Sequence, residues 1–161
     1  MFNGDRPSCL RGCRGRVHRH GCYSRYARPS GADSFGVQRF FCPQCGLTIS
    51  VLPADRLPYR PLEGGRLEDF FNEQAEAGSG PDPPPDVLEA GCLRRAWTRF
   101  QTRVCTLKEA FGLLIRITDS AGVLWKQMRL AKATLQGILH YLAQSHKRSL
   151  LGDYRCLRLP P

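Results

Sequence analysis

Two close pairs of cysteines bracket a strand-rich stretch, and they limit what the N-terminal part of this 161-residue chain can become. The first is Cys9-Leu10-Arg11-Gly12-Cys13, and the second is Cys42-Pro43-Gln44-Cys45 followed by Gly46. Thiolates presented from two turns at one end of a hairpin can complete a tetrahedral four-sulfur shell, the geometry that structural zinc favours. Gly46 after the last sulfur lets backbone amides point at the ligands, so the second pair fits this chemistry well. The first pair has three intervening residues instead of two, and Gly12 stands where a second ligand would fall. Zn2+ on Cys9, Cys13, Cys42 and Cys45 is the leading expectation. A site drawing on His18, His20 or Cys22, or no metal site at all, are the alternatives. A redox role for Cys42 and Cys45 needs a strand followed by a helix, and here the flanks read as strands.

Between and beside the pairs, Arg16 to Tyr26, Phe35 to Phe41 and Leu47 to Leu52 read as strands, separated by the turn Arg28-Pro29-Ser30-Gly31-Ala32-Asp33 and by the second cysteine pair. That is a three-stranded antiparallel meander with few apolar residues, which needs a metal as a staple. Pro53, Pro58 and Pro61 then end regular structure, and Arg66 to Ala77 reads as one short helix. The run from Ala77 to Pro85 is a Gly/Pro-rich linker. Beyond it Asp86 is a candidate N-cap, and apolar residues recur at Leu93, Trp97, Phe100, Val104, Leu107, Phe111 and Leu114. After Thr118 to Gly122 a second stripe runs through Leu124, Met128, Ala131, Leu135, Ile138 and Leu142. Two continuous stripes with a short break predict an antiparallel helical hairpin. The expected fold is therefore α+β: a ribbon-like domain at 1–62, a short helix and linker at 63–85, and a helical region at 86–161.

Charge is distributed unevenly. Residues 1–62 hold ten Arg, no Lys and three acids, a net +7; residues 63–92 come to −7 and residues 93–161 to +10. Guanidinium forks match phosphates and guanine edges bidentately, although arginine-rich codon usage would give the same composition. Arg11, Arg14, Arg16, Arg19, Arg25 and Arg39 are the candidate nucleic-acid contacts, with Tyr23, Tyr26 and Phe40 between them either stacking on bases or forming the small core. Eight cysteines with no apolar run near Met1 point to metal binding or burial in a cytoplasmic protein, not to a disulfide scaffold. Cys92, Cys105 and Cys156 lack close partners and read as buried small hydrophobes. No stretch approaches the ~20 apolar residues of a membrane span.

Three stretches resemble a known family: His20-Gly21-Cys22-Tyr23-Ser24-Arg25, Arg39-Phe40-Phe41-Cys42-Pro43-Gln44-Cys45-Gly46-Leu47-Thr48-Ile49-Ser50-Val51-Leu52-Pro53, and Leu57-Pro58-Tyr59-Arg60. They are similar to the N-terminal zinc-ribbon family associated with bacterial insertion-sequence transposases, over about residues 5 to 62. The resemblance implies DNA binding by association. The chain departs from that family's usual Cys-x-x-Cys at the first pair.

A transposase core needs three carboxylates around two metal ions, whereas the acids here concentrate between the basic segments, and Asp119 and Asp153 stand alone. The reading is thus a non-catalytic, zinc-stabilised DNA-binding protein with no small-molecule substrate. The alternatives are an interaction adaptor, or a mobile-element remnant without activity. A homodimer or a transposase partner would engage through helices 93–114 and 124–142. A helix-turn-helix within Leu124 to Lys147 is disfavoured because the stripe runs through without an internal turn.

Overall fold

The computed structural model describes residues 6–9, 11–31, 33–53, 55–57, 60–76, 86–113, 120–146 and 148–152. The described residues form a mixed α+β structure of a three-stranded antiparallel sheet and five helices. The expected 77–85 linker, Leu114, Asp119, Asp153 and Cys156 lie outside the described residues.

Strands β1 (His18–Tyr26), β2 (Ser34–Phe41) and β3 (Thr48–Val51) pair in chain order. The β1–β2 turn is closed by Ala27 N–H donating to the Asp33 carbonyl at 2.7 Å and by Gly31 N–H donating to the Arg28 carbonyl at 3.1 Å. An irregularity between Arg19 and Gly21 shifts the register, after which Tyr23 lies opposite Val37 and Arg25 opposite Phe35. β3 pairs only with Gln38 to Phe41. Side chains alternate between faces. Phe40 and Ile49, paired across β2 and β3, join Val17, Cys9 and Cys42 in a small core.

Helix α1 (Gly64–Glu76) buries Leu67, Phe70 and Phe71, the spacing of one helical face. It belongs to a larger core with Leu57, Leu62 and the later helices, so the segment expected to lead into a linker is a central packing element. The Phe71 ring lies 4.9 Å from Trp97, 5.2 Å from Phe100 and 5.1 Å from Trp125.

Most of both stripes is buried, with Trp97, Val104 and Phe111 half-buried and Ala131 exposed, but neither stripe lies on one continuous helix. The first is carried by α2 (Val87–Gln101) and α3 (Val104–Phe111). Asp86 caps α2, its carboxylate accepting from Leu88 N–H at 2.8 Å and Glu89 N–H at 3.3 Å. The break falls at Thr102 and Arg103. Thr98 and Thr102 hydroxyls bond back to the Arg94 and Arg99 carbonyls, which competes with the helical ladder. Arg103 is drawn toward the chain's later segment by donating to the Ser149 carbonyl at 3.1 Å.

The second stripe is divided between α4 (Ala121–Lys132) and α5 (Leu135–His146). Ala133 turns to φ 57°, and the Thr134 hydroxyl caps α5 by accepting from Gly137 N–H at 3.0 Å. An internal turn therefore exists where the sequence pattern suggested none, and the reason for disfavouring a helix-turn-helix falls away. In place of two long antiparallel helices there are four, with α4 and α5 both packed on α1. Leu93, Phe100, Leu107, Leu124, Met128, Leu135, Ile138 and Leu142 of the two stripes pack inside the molecule. No helix among the described residues is long and apolar enough to cross a membrane.

Candidate metal centre

The two cysteine pairs come together through two differently built turns. In the second, which is the β2–β3 connection, Cys42 N–H donates to the Leu47 carbonyl at 2.9 Å and Gly46 N–H returns to the Cys42 carbonyl at 2.9 Å. Gly46 sits at φ 70°, a conformation that costs other residues a steric clash. In the first, Gly12 N–H donates to the Cys9 carbonyl at 2.9 Å and Gly12 itself takes φ 71°. The tight turn thus closes one residue earlier relative to its first cysteine. Gly12 makes the turn and Cys13 supplies the sulfur, which explains how a three-residue spacing serves the same end as a two-residue one.

The sulfurs of Cys9, Cys13, Cys42 and Cys45 all lie within 4.8 Å of one another, and this is the one such group of three or more metal-binding side chains among the described residues. Cys9 and Cys42 are buried while Cys13 and Cys45 are half-buried. Cys9 Sγ lies 3.5 Å from Cys45 Sγ and accepts from Arg11 N–H at 3.4 Å. That amide, helped by the neighbouring sulfurs, holds the Cys9 thiol down at about 6. Its hydrogen bond with Cys9, together with burial, pushes Cys13 up to about 12. For Cys45 the Leu47 amide pulls downward, but burial and the bonds to Cys42 and Cys9 outweigh it, so its thiol is raised. Four sulfurs at this separation are a donor set that could hold a metal ion, and an all-sulfur set suits zinc or another thiophilic metal.

His18, His20 and Cys22 are exposed on β1 and outside this cluster; the His20 ring instead lies 5.4 Å from Phe41. Of the other cysteines, Cys92 is half-buried against the helical core and accepts from Arg95 at 3.2 Å. Cys105 is exposed, contrary to the burial expected, because α3 turns Leu107 and Ala110 inward instead.

The candidate arginines do not form one row. Arg11, Arg14 and Arg16 are exposed on the first turn and the approach to β1, and Arg19 is exposed on β1 opposite Phe40. Arg25 and Arg39 are half-buried and lie opposite Phe35 and Ser50, on the other face of the sheet from the Phe40–Ile49 pair. Phe40 is core, whereas Tyr23 and Tyr26 are exposed.

Sequence reading missed two residues that seat the site. Gln44 Oε1 accepts from Gly15 N–H at 3.2 Å, joining the first loop to the second turn. A Cβ at Gly15 would lie 2.8 Å from the Gln44 side chain, so only glycine allows this approach without displacing it. The chain matches no family model, no curated protein and no solved structure.

Proposed function

We propose that this chain is a non-catalytic, zinc-stabilised DNA-binding protein of the cytoplasm, akin to the ribbons associated with transposases, with Zn2+ on Cys9, Cys13, Cys42 and Cys45. The observation that carries the reading is the concentration of arginine in the N-terminal segment, ten in residues 1–62 against three acids. Arg28 pairs with Asp33, and Arg56 with Asp55 and Glu63. On the first loop and the sheet, Arg11, Arg14, Arg16, Arg25 and Arg39 have no acidic partner among the described residues. A concentration of uncompensated guanidinium on a small scaffold suits a polyanion. Four thiolates with one Zn(II) would lower the +7 of residues 1–62 by about 2, leaving it positive.

Two measurements test this. Native mass spectrometry with thiol counting should find one zinc and four protected thiols, with Cys22 and Cys105 still reactive; folded protein without metal and with every thiol reactive would remove the metal assignment. Fluorescence anisotropy on a DNA duplex should show affinity falling with salt, by about 0.9 in log–log slope for each phosphate neutralised. Arg16→Ala and Arg39→Ala should each reduce that slope by about 1. Absence of binding at low salt, or binding indifferent to salt, would remove the DNA assignment.

A further inference from the structure

Helix α4 leaves two apolar side chains, Val123 and Leu130, exposed on the side away from the core. Leu124, Trp125 and Met128 face the core, while Val123, Lys126 and Leu130 are exposed on the other side, one turn apart. Leu130 is 87% exposed, more than any other large hydrophobic among the described residues. A single exposed leucine means little, but this one stands on the rim of a groove of about 400 Å³ between α1 and α4. Asn72, Ala75 and Glu76 line it from α1, and Trp125, Lys126, Leu130 and Arg129, the last paired with Glu68, from α4.

The groove's base is apolar for identifiable reasons. α1 and α4 come close at Gly122, where a Cβ would lie 3.1 Å from Ala75 Cα. Trp125 donates its indole N–H to Asn72 Oδ1 at 2.8 Å, so the one polar group of that buried ring is satisfied. Glu76 on the α1 rim and Lys126 on the α4 rim have no ion pair among the described residues.

We propose that this face is a two-fold interface between two copies of the chain. Leu130 of each copy enters the groove of the other, and Glu76 of each faces Lys126 of the partner subunit. A knob and a hole on one surface are self-complementary under a two-fold axis, as an isologous interface requires. The same axis brings the acid of one rim to the base of the other twice over. The arrangement uses the outer side of α4, not the buried stripes, and it would present two ribbons related by symmetry, suited to inverted half-sites.

The test is the solution mass of the full, metal-loaded chain by light scattering and sedimentation over a micromolar range, without nucleic acid. The outcome is therefore independent of whether the ribbon binds DNA. Wild type should have twice the chain mass, and Leu130→Glu half of that, with unchanged far-ultraviolet circular dichroism because Leu130 is outside the core. Lys126→Glu should also give single chains, and adding Glu76→Lys should restore the pair. A wild type monomeric throughout, a pair that survives Leu130→Glu, or a double reversal that stays monomeric would each overturn the proposal.

Discussion

At the scale of single residues, the four sulfurs are unequal before a metal ion enters. Cys13, pushed up to about 12, and Cys45, raised above its ordinary value, both hold their protons at neutral pH. A metal takes the deprotonated sulfur, so protons and metal compete for the same atoms and acid weakens binding. Loading should therefore release at least two protons per ion near neutrality, those of Cys13 and Cys45. Calorimetry in buffers of different ionisation enthalpy would measure this, and an observed enthalpy independent of buffer would contradict it. The four cysteines were legible in the sequence because ligand type and local spacing are local properties. Gly15 and Gln44 were not, since their contact spans 29 positions and neither residue type announces a role in metal binding.

At the scale of elements, the strands could be read because turn residues mark their ends, while the helices were misjudged at their interruptions. Apolar periodicity records which side is buried and passes through a kink unchanged. The Thr102–Arg103 break keeps Leu93, Phe100 and Leu107 buried together, and the Ala133 break does the same for Met128, Leu135 and Ile138. The local signal that could have located the second break is Thr134, an N-cap residue followed by Gly137. Ala133 itself, at φ 57° and ψ −39°, is the one described non-glycine residue at positive φ. An L-residue in such a conformation costs about 1 kcal/mol, partly offset in a glycine variant by greater unfolded-state entropy. Ala133→Gly should thus stabilise by roughly 0.5 kcal/mol, a rise of about 1–2 °C in thermal midpoint. A lower midpoint would show that the turn is not held at positive φ in solution.

At the scale of the whole molecule, two cores of unequal size share one chain. The core around the cysteines consists of Cys9, Val17, Phe40, Cys42 and Ile49, whereas the helical core gathers residues from Leu57 to Leu151. So few apolar side chains bury little area, and a metal on the four cysteines would supply folding free energy that this core lacks. The bond between the parts runs through Arg56, whose side chain is 15% exposed and lies 3.2 Å from Asp55 and 3.0 Å from Glu63. The same guanidinium donates to the Ala27 carbonyl at 3.1 Å and stands 5.1 Å above the Phe35 ring. It joins the sheet to the start of the helical core without merging the two. Chelation should therefore unfold the sheet while the helices persist: the 222 nm ellipticity stays nearly unchanged, and amides of β1 to β3 lose protection from hydrogen exchange. Arg56→Ala should leave metal content intact in the untreated protein yet separate the melting of sheet and helices into two transitions. If chelation instead abolished helix and sheet together in one transition, the two cores would be a single cooperative unit, and the cysteine cluster would be staple to the whole chain and not to its first third alone.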